Sequence, residues 1–124
     1  MNEIQFDEGK SLVSVRLQDA LKKEDFDRLA KTVDPVIAKE GHLRGVLLEL
    51  TKFPGWSSVG AFVDHVRFVR DHQKHVDKVA IVTDSVLGTI AERLPGKILN
   101  TKIRHFAEGD VEGAKRWIEG EKPS

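Results

Sequence analysis

The feature that most constrains this chain is a repeated alternation between short apolar runs and longer segments with helical periodicity. Apolar runs at 46–50 and 79–82 are each followed by a segment in which apolar residues recur every three or four positions. A more polar run at 102–106 precedes another such segment, as expected of an edge strand. Strands that alternate with helices favour parallel pairing through right-handed crossovers. The pattern therefore predicts an α/β fold.

The first forty residues predict a β-hairpin followed by a helix. Segments 3–6 and 12–17 alternate apolar and polar residues around a turn that contains Gly9, with either Leu12 or the set Val13, Val15 and Leu17 continuing the apolar face. A helix is predicted over about 24–40, where Pro35 should bend or locally break it and Gly41 should end it. Its inward stripe consists of Phe26, Leu29, Ala30, Val33, Val36 and Ile37.

Three more helices are predicted after the first, each beginning at a polar capping residue. Ser57 or Ser58 caps the second, Asp84 or Ser85 a short third one over 86–94, and Asp110 the last. Their inward residues are Val59, Phe62, Val63, Val66 and Val69, then Leu87, Ile90, Ala91 and Leu94, then Val111, Ala114, Trp117 and Ile118. Residues 1–124 are thus predicted to form one domain, a single mixed sheet of about five strands with the first antiparallel and the rest mainly parallel, packed with four helices.

The charge balance and the residue types that are missing exclude several functions. The chain has 20 basic and 20 acidic side chains, and neither half has the basic excess that binding to a phosphate backbone needs. It has no Cys, which removes thiol nucleophiles, thiolate-bound zinc and disulfides. No run approaches the ~18 apolar residues of a membrane span. We therefore expect no nucleic-acid partner and no transmembrane segment, and a cytoplasmic location.

The chain offers little chemistry for an enzyme. The loop at 53–60 joins a strand to a helix, but it contains neither the Walker A pattern nor the G-x-G-x-x-G pattern of phosphate-binding loops. Only the N-terminus of the helix could therefore hold an anion there. Ser57, Ser58 and Ser85 stand where strands end, yet capping explains each of them, and Asp84 has no second carboxylate beside it. We therefore expect that the protein is not an enzyme and has neither a cofactor nor catalytic residues. A small enzyme that uses Ser57 and Asp84 is a less favoured function than the two binding functions described below.

The histidines at 65, 72 and 75 share the second helix without forming an evident metal site. His65 and His72 lie two turns apart, about 10 Å along the axis, and no third ligand accompanies His72 and His75. A solvent-exposed face without metal is the expectation. Phe68 is predicted to project from this same face, about 180° from the inward stripe that contains Val59 and Val66. A second subunit or a loop would then cover it, with His65 and His72 as further interface candidates in a possible homodimer.

The element order and the segment 47–62 resemble STAS domains, the group that contains the sporulation anti-sigma-factor antagonist. In this sequence the segment reads LLELTKFPGWSSVGAF. Within the group the chain is most similar to the bacterial SpoIIAA-like proteins, because of the 25–38 helix that carries Pro35 and the segment 103–106 followed by an acidic turn and 114–118. The resemblance implies a STAS-like fold, which is in turn similar to the lipid-carrying CRAL-TRIO domains.

The resemblance implies two kinds of binding function, both centred on the 53–60 loop. The leading one is a non-enzymatic domain that holds a small apolar, lipid-like ligand or a protein partner through this loop and the adjacent helix, with Phe53, Trp56, Ser57 and Leu87 as ligand-binding residues. The alternative is a phosphorylation-controlled partner-switching regulator, with Ser57 or Ser58 as phosphoacceptor. In the classical motif an Asp precedes the phosphorylated Ser; here Trp56 takes that place, which weighs against the alternative.

Overall fold

The computed structural model describes residues 2–50, 57–83 and 101–120, and these form one five-stranded mixed sheet with helices on both faces. The strands are β1 (Glu3–Asp7), β2 (Leu12–Arg16), β3 (Leu43–Glu49), β4 (Val76–Val82) and β5 (Lys102–Phe106). The helices are α1 (Lys23–Glu40), α2 (Val59–His72) and α3 (Val111–Glu119). The short helix predicted over 86–94 lies outside the described residues.

The strands lie in the sheet in the same order as in the chain. β1 pairs antiparallel with β2, and β2, β3, β4 and β5 then pair parallel. This confirms the predicted opening hairpin and the parallel crossovers that the alternation of strands and helices requires. It also confirms that the polar strand β5 lies at an edge.

Two apolar clusters hold helices to the two faces of the sheet. One face is covered by α3, whose residues Ala114 and Ile118 pack against Leu12, Leu47, Ala80 and Val82. The other face contacts α1, where Val33 is buried against Val13, Val15, Leu43 and Val76. The predicted inward stripes of α1 and α3 are therefore confirmed.

The ends of α1 and α3 follow the capping residues that the sequence predicts. The Asp110 side chain accepts a hydrogen bond from the Gly113 N–H at 3.1 Å, so it caps α3. Gly41 ends α1 in the left-handed conformation at a φ of 85°, and its N–H donates to the Ile37 carbonyl. Pro35 lies inside α1, which continues through it without a break.

The central strand is longer than the apolar run at 46–50 indicates, because β3 begins at Leu43 and includes Gly45. Gly45 pairs with Leu12 and Lys78 inside the sheet. A Cβ atom there would collide with Ile118 Cγ2 of α3. Glycine is therefore required for the close approach of the helix and not for a turn.

Candidate functional site

The carboxyl edge of the parallel strands is where open α/β sheets place their ligands. Backbone pairing continues one residue past β3 and β4, since the Leu50 N–H donates to the Val82 carbonyl and the Thr83 N–H to the Phe106 carbonyl. Because the described strands keep their chain order, the described sheet has no point where that order reverses, which is the usual origin of a ligand crevice. A site at this edge must therefore be built by loops and helix ends.

One hydrogen bond attaches the segment before α2 to this edge, and a second one caps the helix. The Ser57 N–H donates to the Leu21 carbonyl at 2.8 Å, which joins the segment before α2 to the loop after β2. The Ser58 hydroxyl accepts from the Ala61 N–H at 3.1 Å, so Ser58 is the residue that caps α2. Both serines are exposed. Of the predicted ligand-binding residues, only Ser57 is described; Phe53, Trp56 and Leu87 lie outside the described residues.

A polar network next to Leu21 fixes the loop that receives Ser57. The buried Asn2 side chain accepts from the N–H groups of Gln18 and Asp19 and donates to Asp25. Burial acts to raise the pKa of the Asp25 carboxyl, but hydrogen bonds from the Lys22 N–H, Arg28 and Asn2 lower it overall. The charged carboxylate thereby stabilises the N-terminus of α1. Sequence reasoning missed this network, since Asn2 stands in an ordinary polar context.

The contact between α1 and α2 is built from aromatic and histidine rings. Phe26 of α1 stacks on His65 with ring centroids 5.3 Å apart, and its ring lies 6.1 Å from that of Phe68. Phe68 stacks on His72 at 3.9 Å, and His72 Nε2 lies 2.7 Å from Asp34 Oδ1 of α1. Burial lowers the pKa of His65. We call Phe26, Asp34, His65, Phe68 and His72 the ring cluster.

The ring cluster shows that the face of α2 that packs against α1 is not the predicted one. Phe68 was expected on the outer face, yet it packs against the core on the α1 side. Three of the four valines expected inside are exposed, Val59 by 81%, Val63 by 45% and Val66 by 54%, whereas Val69 is half-buried. The physical reason is that large ring surfaces stabilise a helix contact more than valines do. Phe68, His65 and His72 therefore belong to the contact with α1 of the same chain. The homodimer interface expected at these residues stays a prediction.

A signal for the correct face of α2 is present in the sequence. Ala61, His65, Phe68 and His72 are spaced by four, three and four residues, which places them along one side of a helix. The valines at 59, 63 and 66 have the same spacing, shifted by two positions. Counting histidine as a polar surface residue conceals the first stripe.

Other chemistry at the site is limited in the described part of the chain. Arg16 Nε lies 3.3 Å from Glu49 Oε1 at the ends of β2 and β3, an exposed ion pair. His105 Nε2 bonds to the Thr83 carbonyl at the ends of β4 and β5. Over the same described residues, no group of three His, Cys, Asp or Glu side chains could hold a metal ion, and no helix has the length and apolar character to span a bilayer.

The fold and this site define an α/β domain of the STAS type. The chain belongs to the SpoIIAA-like family, because the model of that family matches residues 12–119. A solved structure with a SpoIIAA-like fold, an uncharacterised protein of the DUF3478 family from Shewanella loihica PV-4, is similar with a TM-score of 0.71 and 20% identity. The match covers 95% of this chain and 92% of that protein, and at this identity it supports the fold alone. No curated protein sequence matches the chain.

Proposed function

We propose that this chain is a non-enzymatic binding domain that holds a small apolar ligand or a protein partner through the 53–60 loop and the adjacent helix α2. The observation that carries the proposal is the placement of the start of α2 at the carboxyl edge, where Ser57 is hydrogen-bonded to Leu21. The exposed valines of α2 extend an apolar surface from that edge. The STAS-type fold supports a regulatory role for such binding.

The apolar-ligand version is tested on protein purified without detergent. Native mass spectrometry and organic extraction should identify one co-purified apolar molecule, and Trp56→Ala or Leu87→Ala should reduce its occupancy. Lys31→Ala, a change on the exposed side of α1, is the control and should retain it. Empty wild-type protein that takes up no fatty acid on titration would contradict this version.

A second candidate function, control by phosphorylation, is favoured at Ser57 over Ser58. The Ser58 hydroxyl accepts a hydrogen bond from the helix backbone, whereas the Ser57 side chain is exposed and only its N–H is bonded to Leu21. A phosphate on Ser57 would lie beside the N-terminus of α2, where its charge is stabilised.

The phosphorylation candidate is tested with serine kinases from the same organism. Label should appear on the wild type and on Ser58→Ala, and be lost in Ser57→Ala. Label confined to Ser58, or none on either serine, would contradict the assignment.

A further inference from the structure

Helix α2 carries a second apolar stripe on the side opposite the ring cluster. Val59, Val63 and Val66 are spaced by four and three residues and therefore lie along one line of the helix. All three are exposed, Val59 the most at 81%. We call these three residues the valine stripe.

Two arginines border the valine stripe. At about 100° per residue, Arg70 lies about 20° and Arg67 about 80° from Val59 around the helix, so Arg70 continues the stripe by one further turn. Their carboxylate partners are Asp64, 3.8 Å from Arg67, and Asp71, 3.1 Å from Arg70. Both aspartates lie about 120° to 140° from Val59, and exposed pairs of this kind are weak. The border of the stripe is therefore basic.

We propose that the valine stripe binds an amphipathic helix of a protein partner that carries acidic side chains beside its own apolar stripe. This rests on the proposed binding function and names the chemistry of the partner at α2. Apolar residues at positions i, i+4 and i+7 are the anchors through which two helices pack along their length. Carboxylates of the partner would meet Arg67 and Arg70 at the border, which selects acidic helices over basic ones.

A second copy of the chain fits this surface less well. Parallel pairing of two α2 helices would place Arg70 of one protomer against Arg70 of its partner, and like charges in contact are repulsive. Antiparallel pairing would place each Arg70 beside Val59 of the other helix, without a carboxylate to pair with it. A bilayer also fits less well, because helices that lie in the membrane interface use Trp, Phe and Leu where this stripe has valines.

The test uses NMR on the full chain with labelled valine methyl groups. The probe is a designed helical peptide of about 18 residues, long enough to be helical alone, with Leu in a heptad stripe and Glu beside it. A matched peptide has Lys in place of each Glu. We expect the Glu peptide to shift the methyl signals of Val59, Val63 and Val66 and to bind at least about tenfold more tightly than the Lys peptide.

Two variants test whether the valine stripe is the binding surface and whether its arginines select acidic helices. Val63→Asp should abolish binding of the Glu peptide, whereas Ala38→Asp, which adds the same charge at an exposed position of α1, should leave it within about twofold. Arg70→Glu should weaken the Glu peptide and strengthen the Lys peptide. Unchanged thermal unfolding of each variant ensures that it is folded.

The proposal would be overturned if both peptides bound equally or if neither shifted the methyl signals of the valine stripe. It would also be overturned if these signals changed with protein concentration alone, which indicates self-association, or on addition of vesicles of anionic phospholipid, which indicates membrane binding. Protection of the three methyl groups from a soluble paramagnetic agent in the free monomer would also overturn it, because the chain itself would then cover them. If peptide binding fails while an apolar ligand co-purifies, this inference fails and the proposed function stands.

Discussion

Single residues in this chain decide how closely its elements approach one another. Gly45 allows α3 to lie directly on β3, because a side chain there would occupy the position of Ile118. Asn2 joins the N-terminal segment to the loop that receives Ser57. His65 inserts a titratable ring into the contact between α1 and α2. Each of these effects is local, and those of Gly45 and His65 are each tested by one substitution.

Gly45→Ala should destabilise the domain by about 1–3 kcal/mol, since overpacking forces the neighbouring side chain or backbone to shift. The measurement is urea unfolding followed by circular dichroism. Gly9→Ala is the matched control, because a Cβ there would meet Asp7 at an ordinary contact distance of 3.7 Å. It should change the free energy of unfolding by less than about 0.5 kcal/mol. Equal effects of the two changes would contradict the close approach.

His65 should lower the free energy of unfolding of the domain as the pH becomes acidic. Burial lowers the pKa of folded His65 below its ordinary value of 6.5, so the unfolded chain binds the proton more readily than the folded one. The contribution of neutral His65 to the free energy of unfolding is complete above about pH 6.5 and is lost as the pH falls through the lowered pKa. His65→Phe, which keeps an aromatic ring beside Phe26, should reduce the decline in unfolding free energy between about pH 6.5 and 5.

The control for this pH dependence is His75→Asn, which removes an exposed histidine just after α2. The slope of unfolding free energy against pH is measured for both variants in urea at several pH values. An unchanged slope in His65→Phe would show that another group causes the acid sensitivity.

Among the elements, α2 shows most clearly what the sequence predicts and what it does not. Its position and a cap at one of the two serines before it follow from ordinary signals, as do the end of α1 at Gly41 and the start of α3 at Asp110. Its orientation does not follow, because two stripes with the same spacing lie on opposite sides. The contacts of Phe26 with His65 and Phe68 and of Asp34 with His72 choose between them, and they join residues about forty positions apart.

The orientation of α2 predicts that substitutions in its two stripes reduce the free energy of unfolding by very different amounts. Phe68→Ala removes a ring that packs against Phe26 and His72, and it should cost about 2–4 kcal/mol of unfolding free energy. Val63→Ala, on the exposed side, should cost less than about 0.5 kcal/mol. Chemical denaturation of the two variants measures the difference. A larger loss from Val63→Ala would restore the originally predicted face.

Substitutions of the two serines before α2 should also reduce the free energy of unfolding by different amounts. Ser58→Ala removes the hydroxyl that accepts the Ala61 N–H and should cost about 1 kcal/mol. Ser57→Ala keeps its backbone bond to Leu21 and should be neutral within about 0.5 kcal/mol. Thermal unfolding of both variants checks the assignment. A costly Ser57→Ala with a neutral Ser58→Ala would reverse the cap.

At the scale of the whole molecule, the sheet is a common support for helices that are attached in different ways. α1 and α3 pack on opposite faces of the sheet, whereas the main helix contact of α2 is with α1. Elements with few contacts to a central sheet open at a lower free energy than the sheet itself. The surface proposed for binding therefore lies on a helix that, among the described residues, contacts the sheet less than α1 and α3 do.

Amide hydrogen exchange should show this difference in attachment. Amides of α2 should exchange by local opening at a free energy below that of global unfolding, while amides of β3 should exchange only on global unfolding. Phe68→Ala, examined where the variant is still folded, should widen the gap by accelerating α2 more than β3. Equal protection of α2 and β3 would show that α2 opens only with the sheet.

The sequential strand order also has a consequence for the order of events during synthesis. In the described part of the chain, α3 is the helix that covers the face formed by Leu12, Leu47, Ala80 and Val82. All five strands therefore leave the ribosome before the residues that shield this face, at about 5–20 residues per second. A nascent chain that stalls after β5 would present the described part of this apolar face without α3 on it. That interval is the point at which a chaperone would be needed most.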